Sequence, residues 1–238
     1  SPPLLYSAMQ APGGNGVLWR TDLARPCAFS TTSIAIPDAA SFAADFISIA
    51  PDPERLVLLL SPQPDASDRR HAIARSLPGL RNSTLTVERQ PSPRERSGRI
   101  ASDPGVAGRL WWWSLDGAPV VLRSERYGEE GSWVDVSGDL AGGAGLRIRR
   151  VIGHPRDPTL AWAATSLGVL HTDDGGQHWR VDHGGLPVVV DAVDLALRPS
   201  ASLEPGSVRL WLAPYGHGLW QRELLDDLLL GDGFENTR

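Results

Sequence analysis

A unit of two strands recurs three times along this chain of 238 residues and limits the folds that it can adopt. Each copy is an apolar strand ending in Ala or Ser, then a turn containing glycine, then a strand that begins Gly–apolar–apolar. The copies begin at Leu4, Leu160 and Val208. Short apolar runs bounded by glycine and proline predict β-strands joined by turns. The sequence therefore predicts an all-β fold built from a repeated antiparallel unit.

The spacing of the repeat predicts the number of units. Strands that end next to a proline occur at Pro51, Pro155 and Pro199, and the last two prolines lie 44 residues apart. A period of about 40–50 residues is that of a four-stranded β-propeller blade. We therefore predict a β-propeller of about four to five antiparallel blades. Because the first unit begins in mid-blade at Leu4, the inner strand of that blade must come from the chain's end or from elsewhere.

The turn after the strand that begins at Gly168 concentrates turn-forming residues. It reads Thr-Asp-Asp-Gly-Gly-Gln-His-Trp and contains Thr172, Asp174, Gly176 and Trp179. The Thr hydroxyl and the Asp carboxylate can accept hydrogen bonds from N–H groups of the turn. The glycine supplies a positive φ, and the indole buries a large apolar area over the turn. These residue types predict a structural β-hairpin turn.

This pattern resembles the Asp-box, or BNR repeat, of sialidases, sortilin-type receptor domains, xyloglucan-degrading glycosidases and Ycf48-like assembly factors. In those families the motif caps the hairpin between the outer strands of a propeller blade, away from the central axis where active sites lie. The resemblance therefore implies a propeller with Asp-box hairpin turns. It also implies a structural role for Thr172, Asp174, Gly176 and Trp179, and it supplies no catalytic residue.

A degenerate copy of this turn lies one unit earlier. Ser124, Gly128 and Trp133 stand in the matching places. Arg126 occupies the position of the carboxylate, and the turn is two residues longer, so the resemblance is weaker for this blade.

Composition narrows the class of partner. The chain has nine Trp, 25 Gly and 20 Pro, which suits a fold of short strands, many turns and Trp residues at strand ends. Its formal net charge of −5 argues against a nucleic-acid-binding protein. Cys27 is the only cysteine, so an internal disulfide cannot form.

The sequence also gives expectations about export and about domain boundaries. No apolar run approaches the roughly 20 residues needed to span a bilayer. The chain begins at Ser1, and Asp-box propellers are mostly exported, so we expect a periplasmic or extracellular protein whose signal has been removed. Residues 1–223 are predicted to form the propeller and residues 224–238 a C-terminal tail.

Residues 72–77 can form a helical turn.

Two sets of residues are candidates for an interaction surface. Trp111 and Trp113 flank Trp112 in a strand, so alternation places the two on one face. If exposed they would bind a sugar or a protein, but a strand packed between blades can bury both of its faces. The second set consists of Arg69, Arg70, Arg94 and Arg96. Such Arg-rich stretches are either solvated loops or a docking surface for an acidic partner.

The sequence lacks the residues of a sialidase. That chemistry would need an arginine triad, a Tyr–Glu nucleophile pair and an Arg-Ile-Pro motif, whereas Ala35 precedes Ile36 here. Glu125 lies near Tyr127 but has no supporting context. The six histidines show no metal-ligand spacing, although His178 and His183 lie five positions apart across a hairpin and His171 is near. We predict neither a metal site nor a cofactor.

Carboxylates for a glycosidase are also not evident. That reaction needs two carboxylates about 5 to 9.5 Å apart across a cleft. Asp191 and Asp194 flank a strand, whereas Asp52 and Asp157 occupy matching turns and are interpreted as turn caps.

We therefore expect a non-catalytic, exported propeller that binds a protein partner as an accessory subunit or assembly factor. Ycf48-like propellers help to assemble photosynthetic complexes, so the resemblance implies a larger, membrane-bound or photosynthetic complex as partner. The alternative is a carbohydrate-active domain, either a piece of a glycoside hydrolase or a sugar-binding module with a glycan as ligand. A cleft with exposed Trp and paired carboxylates would favour the alternative, whereas a flat Arg-rich or apolar patch would favour partner binding.

Overall fold

A computed structural model describes most of the chain. The described residues are 4–10, 16–25, 28–37, 42–51, 55–62, 67–68, 70–78, 85–89, 97–143, 145–182, 184–187, 190–199, 208–224 and 234–237. The chain forms two compact units. The first contains residues 1–102, 107–110 and 124–133, and the second contains residues 103–106, 111–123 and 134–238.

The first unit contains two complete sheets. A three-stranded sheet has the order β1-β2-β3, and a four-stranded sheet has the order β4-β5-β6-β7. Adjacent strands are antiparallel in both sheets. The strands are β1 Leu4–Gln10, β2 Gly16–Arg25, β3 Ala28–Ile34, β4 Phe42–Pro51, β5 Leu56–Pro62, β6 Ala72–Ser76 and β7 Leu85–Arg89. In the described residues the first sheet has three strands and the second has four.

A third sheet is formed by strands between residues 98 and 135. Its order is β8-β9-β10-β11, again following the chain. The strands are β8 Gly98–Ser102, β9 Leu110–Ser114, β10 Val121–Ser124 and β11 Trp133–Asp135. A short 3₁₀ helix, Gly138–Gly142, follows the sheet.

The second unit contains the last two sheets. Both have four antiparallel strands in chain order, β12-β13-β14-β15 and β16-β17-β18-β19. The strands are β12 Ile148–Gly153, β13 Ala161–Thr165, β14 Gly168–Thr172, β15 Arg180–Val181, β16 Ala192–Pro199, β17 Val208–Pro214, β18 Leu219–Leu224 and β19 Glu235–Thr237. The repeat found in the sequence corresponds to the middle two strands of these sheets, and the proline-ended strands correspond to the first strand of a sheet.

The predicted all-β class is confirmed. The described residues form five sheets of three or four strands and contain no α-helix. No helix in this part of the chain is long and apolar enough to cross a membrane. The fourth strand of the last sheet, Glu235–Thr237, lies in the segment predicted as the C-terminal tail, and the boundary between propeller and tail stays a prediction.

Each unit has its own apolar core. In the first unit, β5 is buried from Leu56 to Leu60, as a strand covered on both faces requires. The core of the first unit contains Ile34, Ile36, Phe42, Leu56, Leu58, Leu60, Ala72, Ala74 and Leu85. The core of the second unit contains Trp162, Ala164, Val169, Ala192, Leu195, Val208, Leu210, Leu212, Leu224 and Phe234.

The predicted helical turn at residues 72–77 is wrong. Ala72–Ser76 forms strand β6, which pairs with β5 on one side and β7 on the other. Two alanines in five residues favour a helix locally, but pairing on both edges satisfies the backbone of this segment and buries it. Tertiary context overrides the local propensity here.

A buried ion pair joins the last two sheets within the second unit. Both Asp182 carboxylate oxygens accept hydrogen bonds from the Arg222 guanidinium, at 2.6 and 2.7 Å. The two side chains are only 10% and 6% exposed. The Arg222 guanidinium also lies 5.9 Å from the centre of the Phe234 ring.

We predict that Asp182→Ala lowers the free energy of unfolding by about 3–5 kcal/mol, because it leaves a buried guanidinium without its carboxylate. Asp173→Ala is the matched control. It removes the carboxylate of a more exposed pair with Arg180 and should cost no more than about 1 kcal/mol. Urea unfolding of both variants measures the difference, and equal losses would contradict the prediction.

Candidate functional site

The Thr172 hydroxyl organises the turn between β14 and β15. Its Oγ1 accepts hydrogen bonds from the backbone N–H groups of Asp174 and Gly176, at 3.3 and 2.9 Å. The same hydroxyl donates to Asp174 Oδ1 at 2.8 Å. One side chain thus satisfies two turn donors that would otherwise lack a partner.

The Asp174 carboxylate satisfies the second half of the turn. Its Oδ1 accepts from the backbone N–H groups of Gln177 and His178, at 2.9 and 3.0 Å. Its Oδ2 lies 2.6 Å from Nδ1 of the His178 ring. Burial alone would raise the pKa of this carboxyl. The bonds from the His178 backbone and ring, the Thr172 hydroxyl and the Gln177 N–H outweigh burial and hold the pKa well below its usual range.

His178 is the charged partner of this carboxylate. The side chain is 61% exposed. The hydrogen bond and the charge of Asp174, with a smaller effect from Asp139, raise the pKa of the His178 ring above its usual 6.5. The protonated ring is therefore the form that the turn favours.

The same turn packs tightly against the segment that follows β11. Trp179 Nε1 donates to the Val136 carbonyl oxygen at 3.0 Å, and the indole is 6% exposed. Gly176 has a φ of +99°, and a Cβ there would lie 2.8 Å from Cβ of Val136. At Gly138 a Cβ would collide with the Gln177 carbonyl group. Two backbones therefore meet here with no room for a side chain between them.

An arginine from β10 reaches the same turn. Arg123 Nη1 donates to the Gly175 carbonyl oxygen at 2.7 Å. The guanidinium also lies 5.8 Å from the centre of the Trp111 ring. The turn is thus held from within by Thr172 and Asp174, and from outside by Arg123 and Val136.

The turn after β10 repeats part of this arrangement. Ser124 Oγ accepts from the N–H groups of Arg126 and Gly128, at 3.1 and 3.0 Å. These donors lie two and four residues beyond the hydroxyl, as they do in the Thr172 turn. Gly128 has a φ of +73°, and a Cβ there would lie 2.9 Å from the Trp133 ring. The side chain of Arg126 cannot accept hydrogen bonds as the Asp174 carboxylate does, and the Ser132 hydroxyl lies 2.6 Å from Ser124 Oγ within the longer turn.

A third hydroxyl at this position escaped the sequence interpretation. Ser76 ends β6, the third strand of its sheet, as Ser124 and Thr172 end the third strands of theirs. Ser76, Ser124 and Thr172 follow one another at intervals of 48 residues, so the period of the hydroxyls is itself a signal in the sequence. Ser76 Oγ accepts from Leu56 N–H at 3.0 Å. The residue four positions further on lies outside the described residues.

The candidate acid–base carboxylates serve turns and ion pairs. Asp157 Oδ1 accepts from the hydroxyl and the N–H of Thr159 at 2.6 and 2.8 Å. The Thr159 hydroxyl is the main cause of the lowered pKa of this carboxyl. Asp191 lies 3.0 Å from the Arg149 guanidinium, and Asp194 lies 3.8 Å from that of Arg150. Asp52 lies outside the described residues.

Asp103, a buried carboxylate that the sequence analysis did not single out, also has a structural role. Asp103 is 2% exposed. Its Oδ1 accepts from the N–H groups of Gly105 and Val106, at 2.9 and 3.2 Å, and its Oδ2 accepts from Trp111 Nε1 at 2.9 Å. It caps the turn after β8 and positions an indole.

The proposed tryptophan surface is corrected by the structure. Trp111, Trp112 and Trp113 are 0%, 4% and 1% exposed, so both faces of β9 are buried, and Trp111 and Trp113 form no interaction surface. Of the arginine candidates, Arg70 is exposed and pairs with Asp68 at 2.8 Å. Arg69, Arg94 and Arg96 lie outside the described residues.

The structure does not bring histidines together into a metal site in the part of the chain that it describes. No group of three His, Cys, Asp or Glu side chains occurs there with metal-binding geometry. His178 is engaged with Asp174, and His183 is outside the described residues.

Comparisons with known proteins identify the fold. No family model and no curated protein matches the sequence. Among solved structures, Ycf48 from Cyanidioschyzon merolae has a TM-score of 0.56 and 16% identity, over 96% of this chain and 64% of that one. An ancestral GH74 enzyme has a TM-score of 0.62 and 15% identity, over 97% and 32%. The GH74 xyloglucanase from Xanthomonas campestris has a TM-score of 0.55 and 17% identity, over 97% and 41%.

These likenesses confirm the predicted β-propeller class of about four to five antiparallel blades and the resemblance to Ycf48-like propellers. At such identities they show the fold alone. The chain spans less than two thirds of the length of each of these three proteins.

We predict that Gly138→Ala lowers the free energy of unfolding by about 1–3 kcal/mol or more. The added Cβ would push two backbones apart, and a φ of +46° strains the backbone of an alanine. Gly142→Ala lies in the same 3₁₀ helix and has nothing within 4 Å of the added Cβ. It should change stability by less than about 0.5 kcal/mol. Thermal and urea unfolding provide the comparison. Equal stability of the two variants would contradict the tight packing described above.

We predict that His178 titrates above 6.5 and that Asp174→Asn returns its pKa towards that value. Because the pKa is raised in the folded state, the stabilisation is complete below the unfolded value of 6.5 and is lost as the pH rises through the folded pKa. NMR titration of the ring measures the shift. The melting temperature of the parent should fall more than that of His178→Gln between about pH 6 and pH 9. An equal fall of the two melting temperatures over this pH range would contradict the prediction.

Proposed function

We propose that this chain is a non-catalytic β-propeller that binds a protein partner, as an accessory subunit or assembly factor of a larger complex. The observation that supports the proposal is that its candidate carboxylates are engaged in hydrogen bonds and ion pairs within the chain. Asp157 and Asp174 accept the hydrogen bonds of their own turns, and Asp191 pairs with arginine. Asp103 is buried with three donors around it. Groups held in this way support a scaffold rather than general acid–base catalysis.

The likeness to Ycf48, which covers 96% of this chain, supports an assembly role. Membrane-bound and photosynthetic complexes are the partners that the resemblance favours. Export to the periplasm or the cell exterior is part of the same proposal, because Asp-box propellers are mostly exported.

In this proposal the turn between β14 and β15 is an Asp-box with a structural role. Its four defining residues are Thr172, Asp174, Gly176 and Trp179. The turn after β10 is its degenerate copy, with Ser124, Gly128 and Trp133 in the corresponding places. The matching hydroxyl-to-amide bonds of the two turns support this assignment.

The second candidate function is a carbohydrate-active domain, either a hydrolase piece or a sugar-binding module. The two GH74 enzymes favour it, because each aligns with 97% of this chain. The side chain of Tyr215 is 77% exposed and offers a ring on which a sugar could stack. No Trp among the three in β9 is available for such stacking, since all are buried.

The deciding experiment is size-exclusion chromatography with light scattering and mass spectrometry on protein from the native source. We expect the chain to elute with other subunits at a mass above that of any assembly of this chain alone. Elution without another protein would contradict partner binding. Purified protein should also release no sugar from xyloglucan, and measurable release would overturn the non-catalytic assignment in favour of the second candidate.

A further inference from the structure

Exposed apolar side chains gather at one end of the last two sheets. Seven large apolar side chains are exposed among the described residues. Four of them we call the hairpin patch, namely Leu167, Val193, Tyr215 and Leu219, with exposures of 60%, 42%, 77% and 41%. Single exposed apolar residues are ordinary, but a group of them marks an interaction surface.

Backbone hydrogen bonds place the members of the patch at the same end. Ser166 N–H, beside Leu167, donates to the Arg147 carbonyl oxygen just before β12, at 2.9 Å. Tyr215 N–H donates to the Asp191 carbonyl oxygen just before β16, also at 2.9 Å. Because Asp191 pairs with Arg149 of β12, the starts of the two first strands are adjacent.

The remaining two residues of the patch flank Tyr215. Val193 lies at the irregularity in strand pairing between Ala192, which faces Pro214, and Asp194. Leu219 begins β18 directly after the turn that contains Tyr215. The patch therefore extends across the β13–β14 turn and the β17–β18 turn.

A cavity of about 420 Å³ lies beside the patch in the same unit. The segments that line it are residues 114–117, at the turn between β9 and β10, and residues 145–147. Asp116 and Arg147 both line it. Neither side chain has an ion pair or hydrogen bond within the described part of the chain, and the two do not pair with each other.

This surface is complementary to itself. Within the described residues it carries one acid and one base that form no ion pair, Asp116 and Arg147. Its other charged groups pair with each other, Arg149 with Asp191 and Arg150 with Asp194. The chain as a whole has a net charge of −5, so two copies repel each other on average. The charges of this surface named above sum to zero, so an approach through it adds no repulsion of its own. In a two-fold interface residue i meets residue j and residue j meets residue i, which suits one acid and one base on the same surface.

We propose that the chain forms a two-fold symmetric dimer through the hairpin patch. Arg147 of each copy enters the cavity of the other and pairs with Asp116 there. The apolar side chains of the two patches pack together at the centre, with Tyr215 as the main anchor, since buried Tyr residues contribute strongly at interfaces. This proposal is independent of the identity of any other partner.

Charge reversal tests the pairing directly. Sedimentation equilibrium of the purified full chain over a concentration series gives the dissociation constant of the dimer. We expect Arg147→Asp and Asp116→Arg each to raise it by at least about tenfold, because each places like charges opposite one another twice in the dimer. The double variant restores both pairs in the opposite sense and should return the constant to within about threefold of the parent.

The apolar contact has a matched control. Leu167→Ser removes a patch residue and should weaken the dimer by about tenfold or more, whereas Leu77→Ser removes an exposed leucine of the first unit and should leave the constant unchanged. Melting curves verify that the variants are folded.

A chain that remains monomeric at about 100 µM would overturn the proposal, because an interface of ordinary size binds more tightly than that. A dimer that the double charge reversal fails to restore would also overturn it. Either result leaves the proposed accessory function intact, because that function is tested by co-elution with another protein.

Discussion

The close approach of two backbones between the Thr172 turn and the segment after β11 is the contact on which much of the second unit depends. Gly138 meets the Gln177 carbonyl group, and Gly176 meets the side chain of Val136. Backbones come this close only where glycine leaves out a side chain and where every buried N–H has an acceptor. Thr172 and Asp174 supply those acceptors from inside the turn. The turn thus closes its own hairpin and also fixes its sheet against the preceding one.

Several carboxylates of the described residues are engaged in structural contacts. Asp174 has its carboxylate oxygens occupied by turn amides and by His178. Asp103 and Asp182 are buried beside donors that hold them in place. Charged groups held in this way stabilise the turns and strand contacts in which they lie. The exposed side chains of Leu167 and Tyr215 lie at the ends of hairpins.

Sequence patterns gave the strand repeat, the all-β class and the hydroxyl, carboxylate and glycine positions of the turn. Each of these depends on residues only a few positions apart. The pattern gave a wrong answer for residues 72–77, where pairing on both edges of β6 decides the conformation. It also left Trp111 and Trp113 open, because alternation alone cannot tell whether a second sheet covers the other face of a strand. Neither Arg222 nor Gly138 stood out, since their partners lie 40 and 39 residues away.

The local structure of this protein can be read from its amino-acid order: strands from apolar runs, turns from glycine and proline, and amide acceptors at fixed offsets from Thr172. These follow from steric limits and hydrogen bonds within a few residues, which the order of side chains encodes directly. Tertiary packing sets which surfaces are buried and which polar groups meet. It buries Trp111 and pairs Asp182 with Arg222, and among the described residues it leaves Asp116 and Arg147 without an ion pair at one cavity. The physical reason is that such contacts depend on the packing of sheets distant in sequence, where no fixed spacing relates one partner to the other.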